Sequence, residues 1–193
     1  MTTPRSIEIE QLKLRLGRLT VIDVRSPGEY AGGHIPGALN IPLDQLDRAL
    51  PALRAAAGSG ELAVVCAAGP RAEHACRQLA GAGVTALVVT GGTRAWTAAG
   101  HPVDRVAGAR PVWAMDRQVR LTAGSIVLLG LLVDIALPGV RWVSAAIGAG
   151  LVFSALTDSC AMGALLGRLP YNRARPGAPT LDDTLATLSA LDR

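Results

Sequence analysis

The chain has 193 residues, of which 50% are hydrophobic and 18% charged, and its formal net charge at pH 7 is +4. Because the charge is mild and no long basic run is present, the sequence gives no support to nucleic-acid binding. Three cysteines, Cys66, Cys76 and Cys160, form no Cys-x-x-Cys pair. We therefore expect neither a disulfide framework nor a metal site, and no cofactor. This cysteine pattern is typical of a reducing compartment, and residues 1–10 lack the apolar core of a signal peptide.

Charged residues are distributed unevenly along the chain. Residues 1–107 contain eleven Lys or Arg and nine Asp or Glu, whereas residues 121–167 contain only Asp134, Arg141 and Asp158. The contrast predicts a soluble domain joined to a membrane segment.

Short apolar runs alternate with amphipathic ones through the first hundred residues. In chain order the pattern predicts helix 8–16, strand 19–24, strand 38–41, helix 43–57, strand 62–66, helix 71–81, strand 85–89 and helix 93–99. Strands that alternate with helices indicate an α/β fold with a parallel sheet flanked by helices. Ligands of such sheets bind beyond the carboxyl ends of the strands, where Cys66 lies.

The segment CAAGPR, residues 66–71, places a thiol at the end of a strand and before a helix. Loop N–H groups and the positive end of that helix would stabilise a thiolate. Gly69 permits a close backbone approach, Pro70 suits the first helical turn, and Arg71 could close the pocket over an oxyanion. The alternative is a buried strand cysteine followed by an ordinary loop.

Three segments, 21–43, 64–71 and 91–103, closely resemble the rhodanese domain, with matching order and spacing over nearly all of residues 5–105. The resemblance implies a sulfurtransferase in which Cys66 takes sulfane sulfur from thiosulfate, polysulfide or a persulfide. The resulting Cys66 persulfide would pass the sulfur to a thiol or a cyanide-like acceptor. The loop that would hold the persulfide and the donor consists of Ala67, Ala68, Gly69, Pro70 and Arg71.

Two details of this loop bear on its substrate. Related phosphatases and arsenate reductases use the longer spacing C-x5-R, whereas Cys66 and Arg71 give C-x4-R. The shorter loop resembles the sulfur-handling version. Ala67 departs from the basic or polar residue that often follows the cysteine in thiosulfate-using relatives, so thiosulfate is expected to be a poor donor.

The remaining candidate residues are expected to be mainly structural. Asp23 and Arg25 could reach the pocket mouth, but we favour a structural pair. We expect Glu29 to hold a helix end or loop, His34 to belong to a structural turn, and Cys76 and Trp96 to pack in the core.

Two apolar segments, 121–137 and 142–167, follow the α/β region and are joined by the turn 138–141. Each approaches the ~20 residues that a spanning helix needs. Arginines flank both outer ends, which places the two ends in the cytoplasm. The alternative is a pair of core helices in a second soluble domain.

Residues 116–133 and 148–172 resemble the two-helix membrane module that is fused to rhodanese domains in inner-membrane proteins of the YgaP-like type. The resemblance implies an inner-membrane protein with two spans, its α/β domain in the cytoplasm and its hairpin in the lipid. The predicted divisions are a rhodanese domain (1–107), a linker (108–118), a transmembrane hairpin (119–168) and a cytoplasmic tail (169–193).

Several features of the C-terminal half leave alternatives open. Small residues spaced four apart, such as Ser144 and Gly148, favour either a homodimer or packing within one hairpin. Cys160 could accept sulfur, while Asp134 and Asp158 do not establish ion transport. The leucines of residues 180–193 have helical spacing behind a capping box, and this helix could dock on the domain or on a membrane surface.

The sequence as a whole predicts a membrane-anchored sulfurtransferase with Cys66 as the nucleophile. The alternative from another class is a non-catalytic binding or regulatory module on a membrane carrier of sulfur species or anions. A phosphatase is the third reading, which the short loop disfavours.

Overall fold

The computed structural model describes residues 4–157, 161–173 and 177–191. The chain forms two compact units, one from Met1–Val112 with Tyr171–Arg193 and the other from Trp113–Pro170. Asp158 and Cys160, for which the sequence left roles open, lie outside the described residues.

The first unit is built on a parallel sheet. Its strands are β1 (Ser6–Ile7), β2 (Leu19–Asp23), β3 (Leu39–Asn40), β4 (Glu61–Val65) and β5 (Ala86–Val89). Its first five helices are α1 (Ile9–Arg15), α2 (Pro27–Ala31), α3 (Leu46–Ser59), α4 (Pro70–Gly81) and α5 (Gly92–Ala98). The strand order is β1-β5-β4-β2-β3 and every pairing is parallel. The predicted α/β fold with a parallel sheet and flanking helices is confirmed.

The structure adds two elements to the α/β region before residue 100 that the sequence analysis did not predict. Strand β1 has two residues, too few to show any periodicity. Helix α2 has five residues and begins with a capping box in which Ser26 accepts a hydrogen bond from the Glu29 N–H. The Ser-Pro-Gly-Glu sequence at this point is a recognisable helix-start signal.

Alternation along the central strands gives the sheet an apolar core on each face. Ile22 and Val64 belong to one cluster, which includes residues of α3 and α4. Val21 and Val65 belong to the other, which includes residues of α1 and α5. Because both faces of the sheet are covered, its residues are exposed mainly at the strand ends, where loops carry the polar groups.

The last helix, α9 (Leu181–Leu191), packs on α3 of the same unit. Its capping box is formed, because the Asp183 N–H donates to Thr180 Oγ1 at 3.2 Å and the Thr180 N–H donates to Asp183 Oδ2 at 2.9 Å. Leu188 is fully buried in the α3–α4 cluster. The sequence left open whether this helix docks on the domain or on a membrane surface, and in the structure it docks on the domain.

We expect Leu188→Ala to lower the free energy of unfolding of the first unit by about 3 kcal/mol, because it leaves a cavity beneath α9. The neighbouring exposed variant Thr187→Ala is the control, with an expected change within about 0.5 kcal/mol. Thermal unfolding of the full chain measures both. Equal effects of the two variants would show that α9 adds no core packing.

The second unit contains helices α6 (Met115–Asp134), α7 (Arg141–Thr157) and α8 (Ala161–Gly167). The Ser144 hydroxyl donates to the Val127 carbonyl oxygen at 3.0 Å, and a Cβ at Gly130 would collide with Ser144 Oγ. The small residue Ser144 is therefore used for close packing of α7 on α6, within one hairpin.

The helix bounds of the second unit differ from the predicted spans 121–137 and 142–167. Helix α6 begins six residues earlier and ends at Asp134, whose carboxylate accepts hydrogen bonds from the Gly139 and Arg141 N–H groups at 2.7 and 3.0 Å. These bonds form the turn before α7, so the chain leaves the helix before residue 137. Within the described ranges, no helix combines the length and the apolar character needed to cross a membrane.

Candidate active site

Cys66 lies directly after β4 and four residues before the start of α4. Its side chain is almost completely buried, with 1% of its surface exposed. The Gly69 N–H donates a hydrogen bond to Cys66 Sγ at 3.1 Å. This backbone N–H can donate to the sulfur when it reacts as a thiolate, which is the reactive form of a thiol.

Gly69 gives the loop the turn that this contact needs. Its φ of +123° lies in a region that residues with a side chain rarely adopt, and its carbonyl oxygen accepts the first bond of α4, from Glu73, at 2.9 Å. Pro70 follows at the first helical position, as expected. Ala68 and Pro70 are exposed, whereas Ala67 is buried.

The start of α5 holds the loop from the other side. The Thr93 N–H donates to the Cys66 carbonyl oxygen at 2.8 Å, and the Arg94 N–H donates to the Ala67 carbonyl oxygen at 3.0 Å. A Cβ at Gly92 would collide with the Cys66 carbonyl oxygen, so only glycine allows this approach. The sequence analysis did not predict that α5 would hold this loop. The two adjacent glycines at 91–92 could have indicated a close backbone approach there.

Arg71 forms a bidentate ion pair with Glu29. Its two terminal nitrogens donate to the Glu29 carboxylate at 2.8 and 2.9 Å. The Glu29 side chain is 2% exposed and that of Arg71 is 25% exposed. The backbone N–H and the hydroxyl of Ser26 donate to Glu29 Oε2 at 3.2 and 3.0 Å. Arg71 was expected to meet a substrate oxyanion; in this structure its partner is Glu29, which does hold the loop as expected.

The electrostatics of this pair keep both groups charged. Burial alone would lower the pKa of Arg71, but its hydrogen bonds to Glu29 and its attraction to the Glu29 carboxylate and the Cys66 sulfur raise that pKa. Burial would raise the pKa of Glu29, but Arg71 and Arg25 lower it. Arg71 therefore stays positive and Glu29 stays negative throughout the physiological pH range, so the pair is neutral as a whole.

Asp23 and Arg25 bind each other. The Arg25 Nε–H donates to Asp23 Oδ1 at 2.9 Å, and the terminal Arg25 nitrogen also donates to the Gly33 carbonyl oxygen at 2.8 Å. Burial would lower the pKa of Arg25, but Asp23 raises it. Both side chains are buried, so the structural pairing favoured from sequence is the arrangement that the structure has.

The other candidates have structural surroundings. His34 Nδ1 lies 2.9 Å from the Tyr30 carbonyl oxygen, and burial lowers the pKa of His34. The Trp96 Nε1–H donates to the Pro102 carbonyl oxygen at 2.7 Å. Cys76 is buried, which with Glu73 raises its pKa to about 12. In the part of the chain that the structure describes, no group of His, Cys, Asp or Glu could hold a metal ion.

Comparisons with known proteins match each half of the chain to a family. The rhodanese-like domain family matches residues 8–99, and the family described as inner membrane protein YgaP-like, transmembrane domain, matches residues 112–175. An uncharacterized protein of Synechocystis sp. is 38% identical over 157 residues, which cover 80% of this chain and 85% of that protein.

Two further proteins resemble the α/β region. The human thiosulfate:glutathione sulfurtransferase is 57% identical over 37 residues, which cover 19% of this chain and 32% of that enzyme. The crystal structure of a rhodanese-related protein from Thermoplasma volcanium is 34% identical, with a TM-score of 0.48, and covers 52% of this chain and 97% of that chain. With both of its halves matched in order, the chain belongs to the rhodanese-like proteins that carry a C-terminal YgaP-like transmembrane domain.

Proposed function

We propose that the protein is a membrane-anchored sulfurtransferase that carries sulfane sulfur on Cys66. The observation that supports this most directly is the 3.1 Å hydrogen bond from the Gly69 N–H to Cys66 Sγ. The carbonyl oxygens of Cys66 and Ala67 accept hydrogen bonds from the N–H groups of α5. These two acceptors are therefore bound to α5 and not to the sulfur. A backbone donor in this position can stabilise the negative charge that the sulfur carries during transfer.

In the first step, the Cys66 thiolate attacks the outer sulfur of the donor. A bond forms between Cys66 Sγ and that sulfur while the donor's sulfur–sulfur bond breaks. The leaving group, sulfite from thiosulfate or a thiolate from a persulfide, takes the bonding electron pair. Cys66 becomes a persulfide, and no external oxidant or reductant is needed.

In the second step, a thiolate or cyanide attacks the terminal sulfur of the persulfide. The bond to Cys66 Sγ breaks, and Cys66 leaves as a thiolate that accepts the Gly69 hydrogen bond. The product is a persulfide of the acceptor, or thiocyanate from cyanide. The same backbone donor thus serves the nucleophile of the first step and the leaving group of the second.

The loop also bears on the choice of donor. Its cation, Arg71, is already paired with Glu29, and its first two side chains are the methyl groups of Ala67 and Ala68. We therefore propose that a persulfide or polysulfide is a better donor than the thiosulfate dianion. The human relative is named for thiosulfate and glutathione, so thiosulfate is the reference donor against which a persulfide is compared.

The second unit is proposed to anchor the enzyme in the inner membrane as a two-span hairpin, with both chain ends in the cytoplasm. The match to the YgaP-like transmembrane domain supports the membrane location. Large apolar side chains such as Leu129, Leu132 and Phe153 are exposed, as contact with lipid requires. We also propose homodimers, because among the described residues a Cβ at Gly148 or Gly150 meets nothing within 4 Å, and small residues of this kind allow a second helix to approach closely.

The test is a turnover assay of the full chain in detergent with thiosulfate, glutathione persulfide or inorganic polysulfide as donor and cyanide as acceptor. We expect thiocyanate from at least one donor, with the persulfide class ahead of thiosulfate, and no hydrolysis of an aryl phosphate. Turnover of the phosphate would favour the phosphatase reading, and no turnover of any substrate would favour the non-catalytic binding module.

A further inference from the structure

Helix α2 packs tightly against the chain that re-enters the first unit at Tyr171. A Cβ at Gly28 would collide with the Tyr171 carbonyl oxygen and would lie 2.9 Å from the Asn172 Cα. Asn172 is completely buried. The backbone of residues 171–172 therefore lies directly on the first turn of α2, and this approach requires a glycine at position 28.

The other end of α2 contacts the chain that leaves the unit after Val112. A Cβ at Gly32 would lie 3.0 Å from the Pro111 Cα. The Val106 N–H donates to the Ala31 carbonyl oxygen at 3.0 Å, and the Arg105 Nε–H donates to the Gly32 carbonyl oxygen at 3.2 Å. Helix α2 is thus held at both ends by the segments that connect to the second unit in sequence.

Between these two contacts, α2 carries the carboxylate that binds the active-site loop. Glu29 is adjacent to Gly28, and its side chain receives the bidentate hydrogen bonds of Arg71. Arg71 is the second residue of α4, directly after the loop that begins at Cys66. A shift of α2 would displace Glu29, and through it Arg71, because both ends of the ion pair are largely buried.

We propose that the segment Tyr171–Asn172 is a positioning element for sulfur transfer, which sets the place of α2 and thereby that of Glu29, Arg71 and the Cys66 loop. The proposal rests on the proposed function and extends it. The part of the chain that follows the second unit becomes a component of the active-site support, acting through α2 and Glu29.

Gly28→Ala tests this step, because Gly28 is helical with an ordinary φ and the three atoms nearest to its added methyl group all belong to residues 171–172. Gly58→Ala is the matched control, since Gly58 is also helical and, in the part of the chain that the structure describes, a Cβ there meets nothing within 4 Å. Asn172→Ala is the second variant, which removes a buried side chain without any collision. Each is made in the full chain, alone and combined with Glu29→Gln.

Two readouts are measured, kcat/KM for sulfur transfer and amide hydrogen exchange of the peptide that contains residues 66–71. For Gly28→Ala we expect a roughly tenfold lower kcat/KM and faster exchange of that peptide, because small displacements of catalytic groups are costly. In the Glu29→Gln background, Gly28→Ala should change kcat/KM by less than about twofold, since the Glu29–Arg71 ion pair that connects α2 to the loop is already lost. Asn172→Ala should act in the same direction, and Gly58→Ala should leave both readouts unchanged.

The proposal is overturned if exchange accelerates only in α2 and in residues 171–172 while that of 66–71 stays unchanged. It is also overturned if the effects of Gly28→Ala and Glu29→Gln are independent of each other. If the wild-type chain transfers no sulfur, the proposed function fails, but the exchange of the 66–71 peptide still decides whether residues 171–172 position the loop. If Gly28→Ala does not fold, the same criteria apply to Asn172→Ala.

Discussion

Replacement of Cys66 by serine should reduce sulfur transfer by at least about a thousandfold, because a serine hydroxyl can neither act as a soft nucleophile toward sulfur nor carry a persulfide. The change is nearly isosteric. Cys66 is buried at the end of β4, so the fold should be retained. Initial rates with each donor and the thermal midpoint Tm measure the two effects separately.

The matched control for this prediction is Cys76→Ala. Cys76 is a second buried thiol of the same unit, in the α3–α4 core, and burial raises its pKa to about 12. Its thiol should therefore be unreactive. Cys76→Ala should retain activity within about twofold while its free energy of unfolding falls by about 1 kcal/mol. Full activity of Cys66→Ser, or loss of activity in Cys76→Ala at unchanged Tm, would contradict the assignment of the nucleophile.

The second large effect is expected for Glu29→Gln. The substitution removes the charge that pairs with Arg71 but retains one hydrogen-bond acceptor, so the free energy of unfolding should fall by about 2 kcal/mol. Sulfur transfer should fall about 10- to 100-fold, because Arg71 no longer fixes the end of the Cys66 loop. Glu10→Gln is the control, since Glu10 is an exposed carboxylate whose partner is His101.

We also expect Glu29→Gln to change how the stability of the protein depends on pH. Because the fold lowers the pKa of Glu29, its contribution to stability is fully present above the ordinary glutamate pKa of about 4.3 and is lost as the pH falls through the folded-state value. The stability of the wild type should therefore decline in this acidic window more steeply than that of Glu29→Gln. If the two curves of stability against pH were parallel, ionisation of Glu29 would not contribute to the pH dependence of folding.

The sequence predicted the central elements of the α/β unit because their signals are local. Strands β2, β4 and β5 are apolar runs of four to six residues, and their observed bounds differ from the predicted ones by one residue. Strand β1 and helix α2 contain two and five residues. Such short elements show no period, and they are fixed by tertiary contacts instead, β1 by pairing with β5 and α2 by the chain around it.

In the site, too, the sequence predicted contacts between neighbouring residues but not contacts between residues that are far apart in the chain. The run from Cys66 to Arg71 could be interpreted from its own sequence, because the thiol, Gly69 and the helix start are adjacent. Glu29 lies 42 residues before Arg71, and only the fold brings the two together. The capping box at Ser26 predicts a helix start, but it does not reveal that both oxygens of the same carboxylate hold the active-site arginine.

The engagement of Arg71 has a consequence for specificity. An arginine that is already bound to a carboxylate offers less attraction to a dianionic donor than one that faces solvent, because most of its donors and its charge are used within the protein. This is the physical basis for the proposed preference for persulfides over thiosulfate. The same ion pair stabilises the loop in the absence of substrate, which reduces the cost of ordering the loop during the reaction.

Mass spectrometry of the loaded protein tests the central claim most directly. The full chain is incubated with a persulfide donor, freed of excess donor, and digested without reducing agent before and after addition of cyanide. The account predicts one added sulfur on the peptide that contains Cys66, and its loss after cyanide. No added sulfur on that peptide with any donor, or an added sulfur that cyanide leaves in place, would contradict a Cys66 persulfide as the carrier.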